Sequence, residues 1–164
     1  MTKKSQSDMG YLLQSLTAHV RAILPCQYHK LLDSWMDAAE LQLSTKDQGQ
    51  GLTLGMMEYD AELSLERFPF CEFDPAILLA AVMAWLQTHD SFREDYGLDD
   101  PVFKVEPVSD RLANIEIDLS FIEPVSIVPD EHGLIEYQGS KYTVANYEIW
   151  TAKYFSLSVQ RDQH

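Results

Sequence analysis

The chain has 164 residues, of which 46% are hydrophobic and 23% are charged. These values exclude a largely disordered chain and are typical of a globular domain with a buried core. The formal net charge is −14, and residues 51–130 carry nearly all of the excess, with seventeen acids against four bases. The negative electrostatic field of this region repels the phosphates of nucleic acid, so we expect no specific nucleic-acid binding. The acidic surface either stays solvated or receives a basic partner.

Nothing in the sequence directs the chain to a membrane or a secretory route. Residues 1–8 are polar, and the longest apolar run, Ala76–Leu86, is about half the length that a membrane span requires. Cys26 and Cys71 are far apart and belong to no C-x-x-C pair, which predicts two reduced residues in the core or at its boundary. We therefore expect a cytosol-like compartment and no membrane association.

The first predicted helix has apolar residues at helical spacing, with Asp8 as its N-cap and Pro25 marking its end. Its apolar face consists of Leu12, Leu13, Leu16, Val20, Ile23 and Leu24. Residues 1–8 are predicted to form a flexible arm, and residues 9–164 a single domain. The next apolar pattern, in residues 31–41, fits either a helix or a strand.

The second predicted helix follows a polar loop at residues 44–51 and a strand. In residues 61–66 apolar and polar side chains alternate, which predicts a half-buried strand with an acidic solvent-facing side. Asp74 is the predicted N-cap of the helix, and Pro75 occupies its first turn. Because every residue of Ala76–Leu86 is apolar, the helix is predicted to be buried nearly all round.

The remaining predicted elements are strands. Residues 102–106 and 115–121 alternate between polar and apolar side chains, and residues 130–133 and 138–140 carry turn signals. The segment from Tyr142 to Val159 is rich in residues that favour strands. This order of elements favours an α+β fold with an antiparallel or mixed sheet packed against two main helices.

No sequence motif supplies catalytic chemistry. The glycines within residues 49–55 fit neither a dinucleotide-binding nor a phosphate-binding loop, and a nucleophile elbow is absent. No two of the five histidines are three or four residues apart, and neither cysteine stands at zinc-finger spacing from a histidine. Glu94-Asp95 and Asp99-Asp100 offer oxygen ligands for a divalent cation, but their spacing is not that of an EF-hand loop. We therefore predict no enzymatic activity, no cofactor and no metal site.

Two groups of residues are candidates for contacts with other subunits. Phe68 and Phe70 lie in an aromatic stretch before the second helix, which forms either a packed corner or an exposed apolar edge for a partner. Strand alternation also places four acids on solvent-facing surfaces, where they are candidates for a subunit interface or a ring lumen: Glu62, Glu66, Glu116 and Asp118.

Four features of the central region occur together. They are Leu65-Glu66-Arg67-Phe68, the pair Phe73-Asp74, an apolar helix ending in Ala84-Trp85-Leu86, and the strand Ile115-Glu116-Ile117-Asp118-Leu119. This combination resembles the tail completion protein R (GpR) family of peduovirus-type contractile-tailed phages and their prophages. The part of the chain that resembles the family well is residues 57–122. The chain lacks the Pro-rich tail of many family members, so the resemblance assigns no role to residues 130–164.

The resemblance implies a virion morphogenesis protein without enzymatic activity, made in the host cytoplasm and retained in the virion tail. By analogy with small α+β subunits that cap phage tails, it implies a ring that finishes the tail and joins it to the head. Its partners would be further copies of itself and the tail tube or neck proteins. Two alternatives remain open: a monomeric acidic binding module for a basic protein partner, and a small carboxylate- or cation-dependent hydrolase.

Overall fold

The computed structural model describes residues 11–47 and 51–145. Its elements are α1 (Leu12–Ile23), a 3-10 helix (Cys26–Leu31), β1 (Leu32–Asp47), β2 (Leu52–Phe68), α2 (Pro75–His89), α3 (Phe92–Asp95), β3 (Val102–Pro107), β4 (Ala113–Pro129), β5 (Ile135–Tyr137) and β6 (Ser140–Val144). Within these residues six strands form one sheet in the order β1-β2-β4-β6-β5, and β3 pairs with β4 outside this path. The β3–β4, β4–β6 and β5–β6 pairs are antiparallel. A curled antiparallel sheet with a few helices agrees with the predicted α+β class, whereas the packing of the sheet against two main helices stays a prediction.

The chain divides into two compact units, to both of which the long strands β1, β2 and β4 contribute. The described part of the first unit is residues 11–40 and 58–122, and that of the second is residues 41–47, 51–57 and 123–145. The predicted arm, residues 1–8, lies outside the described residues. The single domain of residues 9–164 therefore stays a prediction.

The core of the first unit is built from α1 and the inward faces of β2 and β4. The helix buries one stripe, comprising Leu12, Leu13, Leu16, Thr17 and Val20. In residues 59–65 of β2 and 113–121 of β4 every second side chain is buried, as the alternation in residues 61–66 and 115–121 predicted. Polar groups in this core are paired: the Tyr59 hydroxyl accepts a hydrogen bond from the Leu13 N–H at 3.3 Å. The Thr17 hydroxyl donates to the Leu13 carbonyl oxygen at 2.7 Å and shares a hydrogen bond of 2.9 Å with the Ser34 hydroxyl.

The ends of α1 confirm one sequence prediction and correct another. The helix ends at Ile23, two residues before Pro25, as predicted. Its N-cap position is occupied by Tyr11, whose side chain makes no capping hydrogen bond, so the prediction of Asp8 as N-cap is wrong. The ambiguous pattern in residues 31–41 becomes the end of the 3-10 helix and the start of β1.

The second helix, α2, begins as predicted but is less buried than predicted. The Asp74 carboxylate accepts a hydrogen bond from the Ala76 N–H at 2.9 Å, and Pro75 is the first helical residue. One face is buried, through Leu78, Val82, Trp85 and Leu86. Ile77 and Met83 on the other side are 47% and 53% exposed. The all-round burial predicted from the apolar run is therefore wrong, because only one face of the helix packs against the rest of the unit.

The second unit is formed by strand ends and a short hairpin. Gly55 of β2 lies so close to β1 that a Cβ atom there would stand 2.2 Å from the carbonyl oxygen of Gln42. Thr53 and Ser126 share a buried hydrogen bond of 3.1 Å between their hydroxyl groups. Strands β5 and β6 join through Gln138 and Gly139, both with positive φ, which confirms the predicted turn.

Two further predictions need correction. The polar stretch at residues 44–51 was expected to be a loop, but β1 continues to Asp47 because strand pairing overrides the local turn preference. Cys26 and Cys71 are free thiols as predicted, yet both are exposed and neither belongs to the core.

Residues 146–159 of the predicted C-terminal strand region lie outside the described residues. In the described part of the chain, no helix has both the length and the apolar character needed to cross a bilayer.

Candidate functional site

Charged groups of the first unit line a cleft of about 450 Å³. Strands β1, β2 and β4 and the loop before β3 form its walls. Seven carboxylate side chains line it: Asp37, Asp60, Glu62, Asp99, Asp100, Glu116 and Asp118.

Strand alternation explains why these acids meet. Ala61 and Leu63 of β2 are buried in the core, so Glu62 between them points to the opposite face of the sheet. Ile117 of β4 is likewise buried, and its neighbours Glu116 and Asp118 share the face of Glu62. The alternation that buries apolar side chains on one face of the sheet therefore places the acids together on the opposite face.

Three of the acids form a close cluster. Carboxylate oxygens of Glu62, Glu116 and Asp118 all lie within 4.8 Å of one another. Lys104 of β3 stands opposite Glu116 in the strand register. Its ammonium group lies 2.9 Å from the Asp118 carboxylate and 3.6 Å from that of Glu116. One cation thus offsets part of the charge of three acids.

The cluster changes the ionisation of its members. Partial burial, together with the charges of Glu116 and Asp118, raises the pKa of Glu62 to about 7. The hydrogen bond to Asp118 and the charges of both carboxylates raise the pKa of Lys104. The cluster can therefore exchange a proton near neutral pH, and its oxygen atoms are of the type that hard divalent cations prefer.

An arginine holds the rim of the cleft in place. Arg93 donates hydrogen bonds to the carbonyl oxygens of Asp99, at 2.7 Å, and Ser120. Its guanidinium also pairs with the buried Asp90 carboxylate at 3.3 Å and lies over the Phe121 ring. Because burial raises the pKa of Asp90 while Arg93 lowers it, this ion pair offsets the cost of a buried charge. Arg93 thereby ties the loop that carries Asp99 to the sheet.

The structure brings together three of the six residues proposed from sequence, namely Glu62, Glu116 and Asp118. Glu66 is exposed on the same strand as Glu62 but does not line the cleft. Phe70 is half-buried.

Phe68 is fully buried, and its ring contacts Tyr28 and Phe73 edge-on. It offers no surface to a partner, which favours the packed-corner interpretation of this stretch. Phe73 stands directly before the N-cap of α2, so the corner fixes the start of that helix.

Sequence reasoning missed Asp37, Asp60 and Lys104. Asp60 could have been found by extending the β2 alternation by one step, since it precedes the buried Ala61 and shares the face of Glu62. It accepts a hydrogen bond of 2.7 Å from the Ser120 hydroxyl. Asp37 and Lys104 carry no such local signal, because their positions depend on the pairing of β1 and β3 with the rest of the sheet.

Comparison with known proteins identifies the family. Over 150 residues, 91% of this chain and 90% of the relative, the chain is 25% identical to a protein described as an uncharacterized 19.2 kDa protein in the rep-hol intergenic region of Haemophilus phage HP1 (strain HP1c1). No solved structure matches the chain. The family described as P2 phage tail completion protein R (GpR) matches residues 10–146, which include every described helix and strand. This match confirms the resemblance inferred from the central motifs. The chain therefore belongs to the P2 phage tail completion protein R (GpR) family.

Proposed function

We propose that this tail completion protein is a structural subunit that finishes the tail tube and joins it to the head. It acts by associating with copies of itself and docking on tail tube or neck proteins, without catalysis. The observation that supports this proposal is the family match over residues 10–146. The protein is made in the host cytoplasm and becomes part of the virion tail.

The proposed assembly is a closed ring. A contact between two different surfaces of the same subunit produces a ring when the rotation that relates the copies closes. The acidic cleft and the exposed Glu66 face the lumen of this ring. Carboxylates there repel the phosphates of DNA, so the genome passes without sticking, whereas a basic lining would bind it through counterion release.

A second candidate function is carboxylate- or cation-dependent hydrolysis, because one observation favours it. Glu62 has a pKa of about 7 and lies beside two further carboxylates in a cleft. A titratable group with a shifted pKa in a cleft is typical of catalytic sites, although structural networks of charges produce the same shift. The two functions differ in whether the ionisable group of Glu62 is essential.

A complementation experiment tests both candidates. The gene is interrupted in a phage that encodes the chain, and plasmid-borne versions are supplied during growth. We expect filled heads without joined tails in the absence of the protein, and restored titre with either the wild-type protein or Glu62→Gln. Normal infectious particles without the protein would refute the tail function. A folded Glu62→Gln protein that fails to restore titre would favour carboxylate chemistry.

A further inference from the structure

An apolar groove of about 430 Å³ lies in the first unit, apart from the acid cluster. Its walls come from α2, β3 and β4, and they include Leu79, Val82, Met83, Leu86, Phe103 and Ile117. Met83 is 53% exposed, although a long apolar side chain on a core helix is ordinarily covered. The groove therefore presents apolar surface that the described part of its own chain leaves in contact with water.

A free sheet edge runs beside this groove. Among the described residues, β3 pairs with β4 and with no other strand. Phe103 and Val105 of β3 stand opposite the buried residues Ile117 and Ile115, so they share the groove side of the sheet, yet Val105 is 51% exposed. In an antiparallel pair about half of the backbone N–H and C=O groups of the outer strand point away from its partner. The edge can accept one more strand.

We propose that residues 155–159 of a second copy of this chain add to the free edge of β3 and place their apolar side chains in the groove. In this segment Phe155, Leu157 and Val159 alternate with Ser156 and Ser158. A two-residue period is the sequence pattern typical of a strand with one apolar and one polar face. A strand added to a sheet edge gains affinity from main-chain hydrogen bonds and specificity from pockets that take alternate side chains.

The charge of the chain favours this segment as the part that makes the contact. Two copies that each carry −14 repel one another, so a contact between them needs a region without excess acid. Residues 146–164 contain two acids and two bases. Lys153 precedes the apolar alternation and Arg161 follows it, and the groove lining contains both Arg93 and Asp100.

Phe155 lies ten positions beyond Ala145, the last described residue, and an extended chain of that length spans at most about 33–36 Å. The inference rests on the self-association part of the proposed function and names the surfaces that carry it.

Disulfide trapping between two differently tagged copies tests the contact. Both copies carry Cys26→Ser and Cys71→Ser, which remove the exposed native thiols. One copy carries Leu157→Cys, and the other carries Val105→Cys on the groove side of β3. The matched control replaces Val105→Cys with Leu43→Cys, which is 90% exposed on β1. We expect mild oxidation to produce the mixed dimer with Val105→Cys and little or none with Leu43→Cys.

Self-association in sedimentation experiments provides the second measurement. Phe155→Glu should weaken association about tenfold or more, because a large apolar anchor is lost from a pocket. Ser156→Glu, on the polar face, should leave association unchanged, and both variants should retain the wild-type unfolding curve. Equal weakening by the two variants would show that general charge, and not the apolar face, governs the contact.

The remaining outcomes separate this inference from the tail function. Trapping at Leu43, or a link within one chain that carries both cysteines, would show that the segment does not bind the β3 edge of a second copy. Association without trapping at either position would exclude this contact and leave the tail function standing. A protein that does not associate at any concentration used would exclude it as well. Normal particles from the interrupted phage would instead refute the tail function and leave the trapped dimer intact.

Discussion

At the scale of single residues, Glu62 illustrates how the fold changes the chemistry of a carboxyl group. Its neighbours Ala61 and Leu63 are buried in the core, which holds the glutamate against the acids of β4. Partial burial and these negative neighbours disfavour its charged form and raise its pKa from an ordinary value of 4.5 to about 7. Lys104 opposes this shift. Glu62 therefore links folding stability to pH near neutrality.

The first prediction concerns this link. Between pH 4.5 and 7 the folded state holds a proton on Glu62 that the unfolded chain has lost, so the stability contributed by Glu62 falls as pH rises through this range. Glu62→Gln should flatten this part of the pH profile and stabilise the protein at pH 8 by on the order of 1 kcal/mol, a figure reduced for solvent screening. Urea unfolding from pH 4.5 to pH 8 measures both effects.

The matched control is Glu66→Gln, since Glu66 is exposed on the same strand and lies outside the cluster. Its unfolding profile should follow that of the wild-type protein. A Glu62→Gln protein with the same pH slope as wild type would show that the cluster does not hold Glu62 in the way its geometry indicates.

At the scale of elements, α2 is the helix whose packing can be tested most simply. Trp85 is 6% exposed, and its ring stacks on that of His89 with the centroids 5.1 Å apart. Trp85→Ala should destabilise the protein by about 3–5 kcal/mol because it leaves a cavity beneath the helix. Met83→Ala, on the exposed side, should change stability by less than about 1 kcal/mol. Denaturant unfolding of the two variants decides this, and equal losses would contradict the observed helix orientation.

The strands and helices differ in how much of them the sequence reveals. The alternation in β2 and β4 predicts both strands and the face each buries, because the side-chain period of a strand is two. The apolar run Ala76–Leu86 predicts α2 but not its orientation, since a run without polar residues does not mark which face is covered. Leu79 illustrates this, because its side chain is half-buried although the apolar run predicts that it is fully buried.

The candidate site is predictable only in part, for a related reason. Glu62, Glu116 and Asp118 follow from alternation within two strands, so the sequence predicts their exposure to solvent. That they meet depends on the pairing of β2 with β4, which local patterns do not specify. The ion pair of Lys104 with Asp118 and the hydrogen bond from Arg93 to the Asp99 carbonyl form only when the chain folds. Sequence patterns therefore do not reveal the roles of Lys104 and Arg93.

At the scale of the whole molecule, charge and apolar surface have opposite effects on assembly. A net charge of −14 opposes contact between copies, and in the proposed assembly the apolar groove beside β3 is the place where they bind. An assembly subunit benefits from both, because it must stay soluble until it meets the growing tail. The acidic cleft and the groove have separate roles in this account: the first faces DNA, and the second receives another subunit.

The most direct test of this account is a cryo-electron microscopy reconstruction of the head-proximal end of the tail, from the wild-type phage and from the phage with the gene interrupted. We expect a closed ring of this chain at that end of the wild-type tail, with Glu62, Glu116 and Asp118 facing the lumen, and the loss of this ring in the interrupted phage. A wild-type tail whose head-proximal end contains no ring of this chain would contradict the central claim.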